Sequence, residues 1–234
     1  MTVETDKKYS NQFLYHYMLN HQSKYIYLHG FASSPHSIKA QKFKALFATK
    51  NIPLIIPDLN QNDFYHLTLT RQIQQISTYL KNEQNSVILI GSSLGGLTAA
   101  WTAEKYLNVK QLILLAPAFN FFTDWLQSID QNTLNNWKKQ RELSIYHYGY
   151  DQELPLSYQF ITDGQTYDET TLKRSIPTLI FHGKNDEVMP IESSHSYAKN
   201  REWVKLIELD SNHGLTDMIP EIWKRIKNNI RYNY

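Results

Sequence analysis

The chain of 234 residues is 41% hydrophobic and 20% charged, enough for one α/β domain with a sizeable core and no obligatory second domain. A formal charge of +2, with no block of five or six Lys or Arg, argues against a nucleic-acid partner, and zero cysteines excludes disulfides, thiolate chemistry and cysteine-ligated metals. The first residues carry no basic segment followed by an apolar core, and no run approaches the roughly 18 apolar residues of a membrane span, so a cytoplasmic protein is expected.

In chain order, residues 1–23 read as an N-terminal extension. A strand is expected at 25–28, followed by the loop His29-Gly30-Phe31-Ala32-Ser33-Ser34-Pro35 and a helix at 35–49, with Ser34 as N-cap and Pro35 in the first turn. Strands at 53–56, 87–90, 112–115, 178–181 and 205–209 alternate with helices at 67–81, 94–106, 191–200 and 220–230. This βαβ rhythm predicts a mostly parallel sheet with helices on both faces, the two parts of the core being 24–118 and 174–234. Residues 119–173 are too long for an ordinary connection and read as an aromatic-rich lid insertion. Ligands of open α/β sheets bind beyond the carboxyl ends of the strands, so the loops there carry the search for function.

The stretch from Val87 to Gly96, VILIGSSLGG, runs a β-branched strand into Gly-x-Ser-x-Gly and then into a helix. A serine on so sharp a turn stands clear of the backbone, and glycines two residues to either side let strand and helix approach closely. Ser93 is the centred residue and the candidate nucleophile, whereas Ser92 reads as a buried neighbour with a satisfied hydroxyl. A phosphate-binding loop is disfavoured, because no Lys-Ser or Lys-Thr follows Gly96.

Serine needs a base to take its proton and a carboxylate to hold that base. On such a turn the chain order is Ser, acid, His. The loop after 178–181 reads HGKNDEVMP and offers Asp186, with Glu187 and Asp124 as weaker competitors. The loop after 205–209 reads DSNHGL and offers His213, with Gly214 expected to permit a tight turn. Backbone N–H groups of Phe31 and Leu94 would form the oxyanion hole. His29, His182 and Asp58 are assigned to loop shaping. Phe119, Phe122, Trp125 and Val188 are expected to line an apolar substrate pocket, although any one ring could simply pack the insertion onto the core. No His-x-x-x-His spacing supports a metal, and neither metal nor cofactor is expected.

The stretches YLHGFASSPHSIKAQKF, IPLIIPDL, LIGSSLGGLTAAWTAEKY, LLAPAF, LIFHGKNDEVMP and LIELDSNHGL resemble the α/β-hydrolase superfamily, and within it the small bacterial YqiA/YcfP-type esterases. HGF followed by SSP and SxKA is the more specific part. The resemblance implies an α/β-hydrolase fold, with a helical lid insertion, and cofactor-free hydrolysis of carboxylic esters or acyl thioesters through Ser93, Asp186 and His213. Its partner would be a small acyl substrate. A thioesterase or carbon–carbon bond hydrolase could use the same triad, and a hydrolase scaffold that only binds its ligand is the reading from another class.

Overall fold

The computed structural model describes residues 23–81, 83 and 85–230. The expected N-terminal extension therefore falls outside the described residues, except for Gln22's successor Ser23. Six parallel strands form one sheet: β1 (Lys24–Leu28), β2 (Leu54–Ile55), β3 (Val87–Ser92), β4 (Val109–Leu115), β7 (Thr178–Gly183) and β8 (Val204–Leu209). Their order is β2-β1-β3-β4-β7-β8. The order reverses at β1, which pairs with β2 on one side and β3 on the other. The crevice beyond the carboxyl ends of β1 and β3 is thus where an open sheet of this kind offers room for a ligand.

Successive residues of the inner strands feed opposite clusters, as strand geometry demands. Ile26, Leu28, Val87, Leu89, Leu112 and Leu114 point into one apolar core. Tyr25, Tyr27, Ile88, Ile90, Ile113 and Leu115 point into the other. The second cluster also holds Phe43 and Phe47 of α1 (Ile38–Ala48) and Ile222 and Ile226 of α8 (Ile219–Ile230). The first holds Ile73 and Ile76 of α2 (Leu69–Leu80) and Leu94 to Ala103 contacts of α3 (Leu94–Lys105). Burial on both faces explains why β3 is apolar up to its terminal Gly91-Ser92. Among the described residues no helix is long and apolar enough to cross a membrane.

The structure corrects the start of α1. Ser37, three residues after the expected cap, accepts the Ala40 N–H at 3.4 Å, while Ser34 accepts the His36 N–H at 3.2 Å in a preceding turn. Ser34 and Pro35 therefore close a turn and the helix begins later.

The 119–173 segment is not wholly helical. It contains α4 (Phe121–Ser128), α5 (Gln131–Gln140), an antiparallel hairpin of β5 (Glu142–His147) and β6 (Gln152–Ser157), and α6 (Gln159–Gly164), followed by a 3-10 turn at Glu169–Thr171. Leu143, Ile145 and His147 alternate with exposed residues, the pattern of a strand with one face covered. Phe122, Trp137, Leu156, Phe160 and Ile161 enter the same cluster as β1 and β3, so the segment shares the main core. The hairpin turn reaches the loop after β1, where the Gly149 N–H donates to Ala32 O at 3.3 Å. The remaining helix, α7 (Ile191–Ala198), follows β7.

Candidate active site

Ser93 sits between β3 and α3 with φ 52° and ψ −121°, a left-handed conformation a non-glycine residue rarely adopts. Such strain persists only where the surroundings hold it. Here the Ser93 N–H donates to Leu115 O at 2.9 Å, and Ser93 O accepts from Gly96 and Ala118 at 2.8 and 3.1 Å. The flanking glycines are steric necessities. A Cβ on Gly91 would lie 2.4 Å from Gly95 O, and one on Gly95 would lie 2.3 Å from Leu28 O. Both neighbours are backbone, which cannot rotate away, so Gly95→Ala is expected to cost about 3 kcal/mol, the upper end for overpacking. A melt should show Tm lower by roughly 6–12 °C, and an unchanged Tm would contradict this packing.

Asp186 follows β7 and His213 follows β8. His213 Nδ1 lies 2.8 Å from Asp186 Oδ2 and 3.0 Å from Oδ1. The carboxylate also accepts the N–H groups of Val188 and Met189 at 2.9 and 2.8 Å. Burial alone would raise the Asp186 pKa, but hydrogen bonds from His182 and His213, with the Met189 N–H, outweigh it and hold the carboxyl well below the usual range. Glu187 is exposed, and Asp124 lines a different cavity. Gly183, unremarked in the sequence, lets the two loops meet: a Cβ there would lie 2.3 Å from Ser211 O. The left-handed residue near His213 is Leu215, at φ 51°, and Gly214 has no positive φ, which corrects the role expected of that glycine.

Ser93 and His213 line one cleft of about 460 Å³, together with Gly30, Lys39, Ser92 and Tyr148. A Cβ on Gly30 would stand 3.9 Å from Ser93 Oγ, so the loop after β1 runs beside Ser93. Among the described residues neither the Phe31 nor the Leu94 N–H meets a protein acceptor, which leaves both available as donors. His29 ties this loop down: its Nδ1 donates to Gly30 O and its Nε2 accepts the Leu59 N–H, each at 2.9 Å.

His182 does more than shape its own turn. Fully buried, it places Nε2 2.9 Å from Met189 O and 3.1 Å from Asp186 Oδ2, while Nδ1 lies 2.7 Å from Ser194 Oγ. Since a carbonyl only accepts, Nε2 carries the proton and Nδ1 accepts from the serine. The HGKND spacing was the available signal, because it puts His182 four residues before Asp186.

A second cavity of about 490 Å³ is lined by Phe31, Phe121, Trp125, Ile145, Tyr148 and Val188, among others. Of the four residues expected to line an apolar pocket, Trp125 and Val188 line this cavity. Phe119 and Phe122 do not. Phe119 stacks on Tyr197 with ring centroids 4.0 Å apart, and Phe122 packs on Phe160 at 5.1 Å in the core. Phe31 stacks on Phe160 at the same separation, so the residue expected to supply an oxyanion N–H also anchors the aromatic cluster with its ring. Among the described residues, no group of three or more His, Asp or Glu is arranged to hold a metal ion.

Comparison with known proteins agrees with this architecture. The mouse α/β-hydrolase domain-containing protein 10 superposes with a TM-score of 0.77 at 19% identity, covering 90% of each chain. Est1E from Butyrivibrio proteoclasticus, in its complex with ferulic acid, gives 0.75 at 19% identity over 91% of each chain. In sequence, "Putative esterase/lipase 2" of Mycoplasma genitalium is 25% identical over 206 residues, 76% of either protein. The chain has the fold of the α/β hydrolases, and the family described as Uncharacterised protein family (UPF0227) matches residues 24–229, so the chain belongs to that family.

Proposed function

We propose that the protein is a serine hydrolase that cleaves carboxylic esters through an acyl-enzyme, with Ser93 as nucleophile, His213 as base and Asp186 as acid. The observation that carries this reading is the Asp186–His213 contact at 2.8 Å beside a strained Ser93 in the same cleft. Asp186, which stays ionised, accepts a hydrogen bond from His213 Nδ1–H, and this leaves Nε2 free to take the proton of Ser93 as Oγ attacks the acyl carbon. The N–H groups of Phe31 and Leu94 stabilise the oxygen that becomes negative. His213 then returns the proton to the leaving alcohol, and water, deprotonated by the same nitrogen, releases the acid and restores Ser93. The Mycoplasma genitalium relative's name, and the carboxylic acid (ferulic acid) bound to Est1E, are compatible with this class of reaction. The same steps serve an acyl thioester, the leaving group then being a thiol.

The apolar cavity bordered by Phe31 and Trp125 takes the acyl part, and the segment that closes over it, residues 119–173, acts as the lid. Each buried methylene contributes about 0.8 kcal/mol, so kcat/KM for p-nitrophenyl esters is expected to rise about tenfold from acetate to butyrate. Trp125→Ala should remove most of that rise while acetate is affected less. A flat series across chain length would remove the cavity from the acyl role, and acyl-CoA thioesters assayed beside the esters would report thioester cleavage.

A further inference from the structure

Lys39 is a charged group in the catalytic cleft for which the triad has no use. It is the second residue of α1, on the sheet face opposite the lid, and its Nζ donates to Ser92 Oγ at 2.9 Å. Ser92 is the immediate neighbour of the nucleophile. Among the described residues no carboxylate lies within ion-pair distance of Lys39. The side chain keeps partial exposure, and the opening is the cleft that Ser93 and His213 also line. A cation left without a counter-ion in a confined site costs stability, unless something that enters the site supplies the charge.

Ser33, Ser34, Ser37 and Thr216 line the same cleft beside Tyr27, Ile38 and Tyr148, and none of them carries a charge that could answer Lys39. His213 lines the cleft that holds Lys39 and not the second cavity, and the leaving oxygen must receive its proton from His213. The alcohol half of an ester therefore lies on the Lys39 side.

We infer that Lys39 recognises a carboxylate carried by the alcohol portion of the ester, an inference that rests on the triad reading above. One lysine supplies one charge, which matches a carboxylate. A phosphate dianion would leave half its charge uncompensated in a desolvated cleft. Burial pushes the Lys39 pKa down to about 8, with the Asp186 charge opposing, so the ammonium form still prevails at neutral pH. The N-terminus of α1 adds a favourable field for an anion at the same place.

The test compares 3- and 4-acetoxybenzoate with their methyl esters, which differ by one charge on the leaving group, and reads the ratio of kcat/KM within each pair. Intrinsic reactivity cancels when the ratio in a variant is divided by that of the natural protein. Lys39→Gln keeps a donor for Ser92 but no charge, and should lower the ratio about 10–100-fold, with Lys39→Arg restoring much of it. A ratio unchanged within threefold in Lys39→Gln overturns the inference. Binding of 3- and 4-hydroxybenzoate to Ser93→Ala protein, followed by calorimetry, is independent of turnover. It should weaken at least tenfold when Lys39→Gln is added, and equal affinity with and without the charge overturns the inference too. Phenyl phosphate binding more tightly than either hydroxybenzoate overturns the choice of carboxylate. Absence of turnover on every ester, with charge-dependent hydroxybenzoate binding retained, would instead remove the esterase reading and leave Lys39 as an anion site.

Discussion

Ser93→Ala is expected to abolish covalent labelling by a fluorophosphonate probe and to lower ester turnover by about 10⁴–10⁶-fold, since removing the nucleophile of a triad disables the whole unit. Peptide mass spectrometry should place the label on Ser93 alone in the natural protein. The adjacent Ser92 is the internal control. It is buried and its hydroxyl is engaged by Lys39, so Ser92→Ala should still label at Ser93. The fold should survive Ser93→Ala, because the contacts that hold the elbow run through the Ser93 backbone to Leu115, Gly96 and Ala118 and not through its hydroxyl. Alanine must still occupy φ 52°, a modest strain that serine also carries. Labelling that persists in Ser93→Ala would move the nucleophile elsewhere, and a natural protein that resists small probes would favour a ligand-binding role for the scaffold.

The sharp turn at Ser93 and the meeting of Asp186 with His213 were legible because each answers a local requirement. Gly91 and Gly95 are dictated by backbone contacts at 2.4 and 2.3 Å, and Asp186 and His213 by their places after consecutive parallel strands. The aromatic cavity was legible only in part: Trp125 and Val188 line it, whereas Phe119 and Phe122 do not. In Phe119-Asn120-Phe121-Phe122, Asn120 adopts the left-handed φ of 62° just before α4 and so separates the courses of Phe119 and Phe121. Phe121 then faces the cavity while Phe119 turns toward Tyr197, a choice that side-chain type alone does not encode. The β5–β6 hairpin escaped for a different reason. Its alternation is short and only half-buried, and Pro155 sits within β6, where the sequence argues against a strand although an edge position tolerates it. Lys39 lies 53 residues before Ser92 along the chain, so only the packing of α1 against β3 brings the two together.

Asp186→Asn is expected to lower kcat/KM on p-nitrophenyl butyrate by about 10⁴-fold, because an amide cannot satisfy all the donors that converge on this position. Four reach the carboxylate: the N–H groups of Val188 and Met189, His213 Nδ1 and His182 Nε2. With Asn, one NH₂ must oppose a donor or turn His213 to the tautomer whose Nε2 already holds a proton and cannot accept one from Ser93. The same substitution has a pH signature in stability. Burial works against the charged form, but the hydrogen bonds from His182 and His213 win, so the folded carboxyl titrates well below the ordinary aspartate value of about 3.9. The natural protein's stability advantage over Asp186→Asn is then fully present at pH 7, begins to shrink once pH falls below about 4, and is lost as pH passes through the depressed folded value. Thermal melts of both proteins between pH 7 and pH 3 should show two Tm curves that converge toward acid. A constant Tm difference across that range would mean that Asp186 does not ionise where this hydrogen bonding places it, and turnover within tenfold of the natural protein would take the acid's role away from Asp186.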